Sequence, residues 1–171
     1  MINRNLFTCI CFTLCLWSPL SYGIPNSQLS VDISAESVAR VTLYYRGIPV
    51  SSDGLDFPLV VNGISQKIEQ TSSNFFLVGN VDRADLVFED SEFVLPQVYG
   101  GNTKMPLIGS FIFQGAVTDS RQTLQVPVLD DISQARAVNG LKIKFATEFT
   151  AGHYTKGRYG NVFTLIVTPV I

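Results

Sequence analysis

Apolar and polar residues alternate strictly from Gln28 onward. In Leu29-Ser30-Val31-Asp32-Ile33-Ser34-Ala35-Glu36 every odd position is apolar and every even one polar. A period of two predicts a β-strand with one buried face. A second such run, Ala39-Arg40-Val41-Thr42-Leu43-Tyr44-Tyr45, follows almost at once and stops at Arg46-Gly47 and a loop rich in Pro, Ser, Asp and Gly. The same reading predicts strands over residues 59–62, 74–78, 86–89, 107–114, 123–128, 141–149 and 162–168. Turn signals divide them at Asn62-Gly63, Gly79-Asn80, Gly100-Gly101-Asn102, Gly115 and Asn139-Gly140. One or two helical turns are expected over 130–137, where Asp130 or Asp131 is placed to cap. Many short strands rich in Val, Ile, Phe and Thr, with almost no helix, predict an all-β sandwich.

The last two strands differ in character. Leu141-Lys142-Ile143-Lys144-Phe145 alternates apolar with basic residues and predicts one wet face, whereas Val162-Phe163-Thr164-Leu165-Ile166-Val167 is largely apolar on both parities. With no further strand after it, the final strand is expected to leave an apolar groove and an unpaired edge, a combination that proteins normally avoid. The N-terminal alternating run is the natural filler, either within its own chain or in a neighbour.

The first residues add a compartment. Arg4 supplies a positive end, residues 6–17 an apolar stretch and Ser18-Pro19-Leu20-Ser21-Tyr22-Gly23 a small-residue cleavage region, so residues 1–23 are expected to be an export signal removed after Gly23. The apolar stretch is shorter than a bilayer span, and no membrane insertion of the mature chain is expected. All three cysteines, Cys9, Cys11 and Cys15, fall inside that signal. A mature chain without thiols holds neither disulfides nor cysteine-ligated zinc nor a thiol nucleophile. Residues 24–36 then form an N-terminal extension and 37–171 one domain of ordinary size.

Charge excludes further classes. Twelve Lys and Arg against fourteen Asp and Glu, scattered singly, predict no nucleic-acid partner. Catalysis has little foundation: His153 is the only histidine, and no Gly-x-Ser-x-Gly elbow accompanies it, so the chain reads as non-enzymatic with no cofactor. Asp130-Asp131 and the Glu89, Asp90, Glu92 group lack the spaced oxygens of a calcium loop and read as caps and turn residues. Tyr44, Tyr45, Tyr99, Tyr154 and Tyr159 are candidates for a receptor platform, because aromatic faces stack on sugars; ordinary strand-face packing is the competing reading.

Three segments resemble the cysteine-free pilins of the chaperone–usher pathway, in particular the F1-capsule-like and CS1/CS6-like fimbrial subunits. Residues 28–36 are similar to their donor strand, Ala39 to Val50 to the first strand of their incomplete immunoglobulin-like sandwich, and Thr150-Ala151-Gly152-His153-Tyr154 with the strand from Gly160 to Val167 to their terminal signature. Thr155-Lys156-Gly157-Arg158-Tyr159 departs from that pattern. The resemblance implies a surface-fibre subunit, exported through the periplasm to the cell surface, whose sandwich is completed by a strand from a neighbour. Leu29, Val31, Ile33 and Ala35 would enter the neighbour's groove. Phe163, Leu165 and Val167, or the opposite set Val162, Thr164 and Ile166, would line this chain's own. Implied partners are identical or related pilins, a periplasmic chaperone, an outer-membrane usher and a host receptor. The alternative is a monomeric secreted sandwich that binds a carbohydrate or receptor and closes its fold with the same N-terminal strand.

The mature chain is expected to start at Ile24 and to melt at the same temperature with and without reductant. Intact-mass measurement of the exported protein and paired thermal melts check the two halves of this expectation.

Overall fold

The computed structural model describes residues 37–51, 54–99 and 101–171. The alternating run with Leu29, Val31, Ile33 and Ala35, and the export signal before it, lie outside the described residues. Twelve strands follow in order: β1 (Val41–Tyr45), β2 (Ile48–Pro49), β3 (Val60–Val61), β4 (Lys67–Thr71), β5 (Phe75–Gly79), β6 (Arg83–Phe88), β7 (Phe93–Pro96), β8 (Lys104–Phe113), β9 (Ala116–Asp119), β10 (Leu124–Pro127), β11 (Leu141–Thr150) and β12 (Leu165–Val170). All strand pairing is antiparallel.

Local chemistry sets the first hairpin. Arg46 and Gly47 both take positive φ, 53° and 78°, the two-residue turn whose twist matches that of paired strands, and β2 folds back on β1. β1 then lies along β5, Leu43 opposite Leu77, and β11 carries β8 on one side with β4 and the start of β5 on the other. β3 extends this larger sheet beyond β4, and β7 and β9 extend it beyond β8. The smaller sheet runs β10-β6-β12. This is the immunoglobulin-like arrangement of two antiparallel sheets packed face to face.

The core sits between them. Strict alternation on β11 sends Leu141, Ile143, Phe145 and Thr147 inward, and on β8 sends Met105, Leu107 and Phe111 to meet them; Ala84, Leu86 and Phe88 of β6 face back from the smaller sheet. Rings concentrate at one place. Phe145 packs within 5.9 Å, centroid to centroid, of Phe57, Phe88, Phe93 and Phe163. Gly109 makes room for them, since a Cβ there would lie 2.9 Å from both the Phe93 and Phe145 rings.

Two buried hydroxyls repair the ladder where it bends. Between β4 and β5 the Ser72 N–H donates to the Ile143 carbonyl at 2.8 Å, while the Ser72 hydroxyl accepts from the Ile143 N–H at 2.9 Å. At the register shift near the end of β11, the Thr147 hydroxyl accepts from the Ile68 N–H and donates to the Phe149 carbonyl. Both solve the same problem, since an unpaired backbone group buried in the core is costly.

Several short strands, β2, β4, β7 and β9, were not legible as periodic runs. Residues 130–137 hold the expected short helical structure only as a 3₁₀ turn at Ile132–Gln134, capped by the Asp131 carboxylate on the Ser133 N–H, with another such turn at Ala137–Asn139. The final strand starts at Leu165, three residues later than its hydrophobic run begins.

On the wet face, Glu69 accepts from Lys144, Ser65 and Asn62, and these partners, Lys144 first, hold its carboxyl below the ordinary value of 4.5. A depressed carboxylate stabilises the fold fully above its unfolded value and loses that contribution as pH falls through the folded one. Melts of the wild type from pH 7 to pH 3 should therefore fall more steeply below pH 4.5 than those of Glu69→Gln, and equal slopes would remove the ion pair from the acid response.

Candidate functional site

A cleft of about 1070 Å³ opens into the core. Its floor is the sandwich interior: Phe75, Phe88, Met105, Leu107, Ile143 and Phe145. One wall comes from Leu43 of β1, Val50 and the segment Leu55, Phe57 and Leu59 that follows the first hairpin. Phe163 and Leu165 supply wall from the other end of the chain. More of the lining is apolar than polar, with Ser51, Asp56, Asn161 and Thr164 among its polar members. Of its polar members, Asn161 is already engaged, its amide donating to the Val94 carbonyl and its carbonyl oxygen accepting from the Val162 N–H.

The cleft lies beside an open backbone edge. β12 pairs with β6 from Leu165↔Phe88 to Val170↔Arg83, and among the described residues no strand covers its other side. Even-numbered residues turn their backbone groups toward β6, as the Thr164 carbonyl does in accepting from the Glu89 N–H at 2.9 Å. Alternation therefore aims the N–H and C=O of Leu165 and Val167 outward. Pro169, next on that side, has no N–H and ends the row of donors.

Asp90 fixes where this edge begins. Its carboxylate accepts from the Thr164 N–H at 2.8 Å, so the Glu89–Asp90 corner grips both backbone groups of Thr164. Thr155 to Tyr159, the stretch outside the pilin-like pattern, gives Gly157 and Tyr159 to the cleft lining and is tied to 97–98: the Val98 N–H donates to the Arg158 carbonyl, and Tyr159 bridges Gln97.

The candidate groove residues separate by parity. Phe163, Leu165 and Val167 are half-buried and pack on the core, Phe163 edge-on to Phe93 at 5.2 Å. Phe163 and Leu165 line the cleft; Val167 does not. Of the opposite set, Val162 and Thr164 border the cleft, yet Val162 is 84% exposed and Ile166 39%. Sequence reasoning missed the wall from Val50 to Leu59, because a segment without periodic pattern leaves no signal of the face it covers.

Other candidate chemistry is dispersed. His153 sits in an exposed 3₁₀ turn with its ring 4.4 Å from Phe149, and the Tyr154 hydroxyl accepts from the Phe149 N–H. Among the described residues no three of His, Asp, Glu and Cys are placed to hold a metal. No described helix is long and apolar enough to cross a membrane.

No protein-family model matches the chain, and no curated protein matches it. Among solved structures it is similar to a chain from one described as a chaperone–tip adhesin complex vital for synergistic activation of CFA/I fimbriae biogenesis, with 13% sequence identity and a TM-score of 0.50. The likeness covers 76% of this chain and 42% of that one, so this chain spans less than half the length of its match. At that identity it is a likeness of fold alone.

Phe163→Ala should lower stability by about 2–3 kcal/mol through loss of its ring partners, whereas Val162→Ala should change it by less than about 0.5 kcal/mol. Denaturant titrations of the two variants check this, and equal losses would show that parity does not divide the strand.

Proposed function

We propose that this chain is a non-enzymatic subunit of a bacterial surface fibre and that it polymerises by strand complementation. One observation carries the reading: a largely apolar cleft about 1070 Å³ in volume reaches Leu165, where the uncovered edge of β12 begins. A strand laid there gains both ladder hydrogen bonds and pockets for alternate side chains. The alternating segment has the matching form. Leu29, Val31, Ile33 and Ala35 would project inward while Ser30, Asp32 and Ser34 stay wet.

The magnitude suits a lasting joint. Burial of three large aliphatic side chains and an alanine contributes on the order of 6–9 kcal/mol before ordering costs. Unzipping a whole strand at once is slow, and persistence outside the cell becomes a matter of rate. The fold likeness to a component of a fimbrial chaperone–adhesin complex supports the same reading. The proposal includes a periplasmic chaperone as temporary occupant of the cleft, an outer-membrane usher, related subunits as partners and the cell surface as destination. The extension 24–36 is then the donor and 37–171 the acceptor domain.

Ile33→Asp should abolish polymers, since a carboxylate in the neighbour's cleft is desolvated without a partner at a cost of several kcal/mol. Ser34→Asp, on the wet parity, should assemble normally. Ladders on unboiled gels and melts of the chaperone-bound subunit read the result. Lost ladders with an unchanged complex support donation between subunits; a collapsed melt for Ile33→Asp means that the strand closes its own sandwich.

A further inference from the structure

The stretch from Thr155 to Gly160 lines the cleft through Gly157, Tyr159 and Gly160, and it also builds a small surface of its own. Segment 96–98 is the middle of a three-stranded ribbon. Pro96 pairs with Lys104 and the Gln97 N–H donates to the Thr103 carbonyl on one side; the Gly160 N–H donates to the Pro96 carbonyl at 3.2 Å and the Val98 N–H to the Arg158 carbonyl at 2.8 Å on the other. Alternation divides its faces. Gln97, Thr103 and Tyr159 are half-buried, while Pro96, Val98, Lys104 and Arg158 are exposed together.

This outer face is a low apolar platform between two cations. Strand spacing and the two-residue offset set the Lys104 and Arg158 backbones about 12 Å apart across Pro96 and Val98. A Cβ on Gly160 would point to the same face, 3.5 Å from the Val98 side chain, so glycine there leaves the platform flat. The ion pairs among the described residues are Arg121–Asp119 and Lys144–Glu69, and neither Lys104 nor Arg158 takes part in one.

From this arrangement we infer that the ribbon binds an anionic saccharide. Sugar C–H faces pack on Pro96 and Val98, as sugars do on apolar surfaces, and carboxylate or sulfate groups meet Lys104 and Arg158. Charge complementarity favours this occupant over a neutral glycan, and the apolar strip favours it over a simple polyanion. The site goes beyond the fibre reading and exists in a single chain. Repetition along a fibre would raise its apparent affinity by about 10²–10⁴.

The test passes the mature chain over immobilised heparin, neutral dextran and poly-glutamate, with affinities then measured in solution for a heparin octasaccharide. Salt-sensitive retention on heparin alone is expected. Lys104→Ala and Arg158→Ala should each weaken binding about three- to fivefold. Lys142→Ala, with the same change in net charge elsewhere on the larger sheet, should bind like the wild type. Equal loss in Lys142→Ala, equal retention on poly-glutamate, or no retention on heparin would overturn the site. None of these outcomes depends on polymerisation, which ladders from the same preparation report separately.

Discussion

Two sheets with apolar inner faces must exclude water between them, and in this fold that demand converges on Phe145. Its ring is surrounded by Phe57, Phe88, Phe93 and Phe163, which arrive from a loop, from both sheets and from the approach to the final strand. The same convergence leaves the core open. Phe163 and Leu165 reach the interior from one side, Leu43 and Val50 from another, and the space between them remains a cleft. The apolar burial that holds the sandwich together therefore also defines what is missing from it.

The cleft is built on a rigid frame. Ser72 and Thr147 satisfy backbone groups at the irregular points of the β4–β11 pairing, and the Glu89–Asp90 corner fixes Thr164 at the head of β12. On the proposed reading, an acceptor prepared in this way would lose little freedom when a strand docks, and more of the contact energy would appear as affinity. Pro169 bounds the open edge of β12 in turn, because the donors facing outward stop with Val167.

Periodicity made much of the architecture legible. The two-residue alternation of Leu141, Ile143 and Phe145 with Lys142 and Lys144 fixed both the strand and its inward face, since a charged ammonium cannot be buried unpaired. Arg46-Gly47 marked the end of β1, while the hairpin there, in which glycine accepts the positive φ that the turn needs, came from the structure. The non-periodic strands escaped notice. β2 is two residues long, and β4, Lys67–Thr71, mixes polar and apolar residues on a half-buried face, so their existence depends on the partners that β1 and β11 provide.

The final strand divides local information from tertiary information most sharply. Its run of apolar residues on both parities establishes that the segment is a strand with an unusual amount of surface to cover. Which parity turns inward is not a local property. The Asp90 grip on Thr164 and the pairing with β6 place Phe163, Leu165 and Val167 on the core and leave Val162 and Ile166 toward solvent. The cleft likewise needs walls from residues more than a hundred positions apart, Leu43 and Leu165, and only the packing of one sheet on the other brings them together.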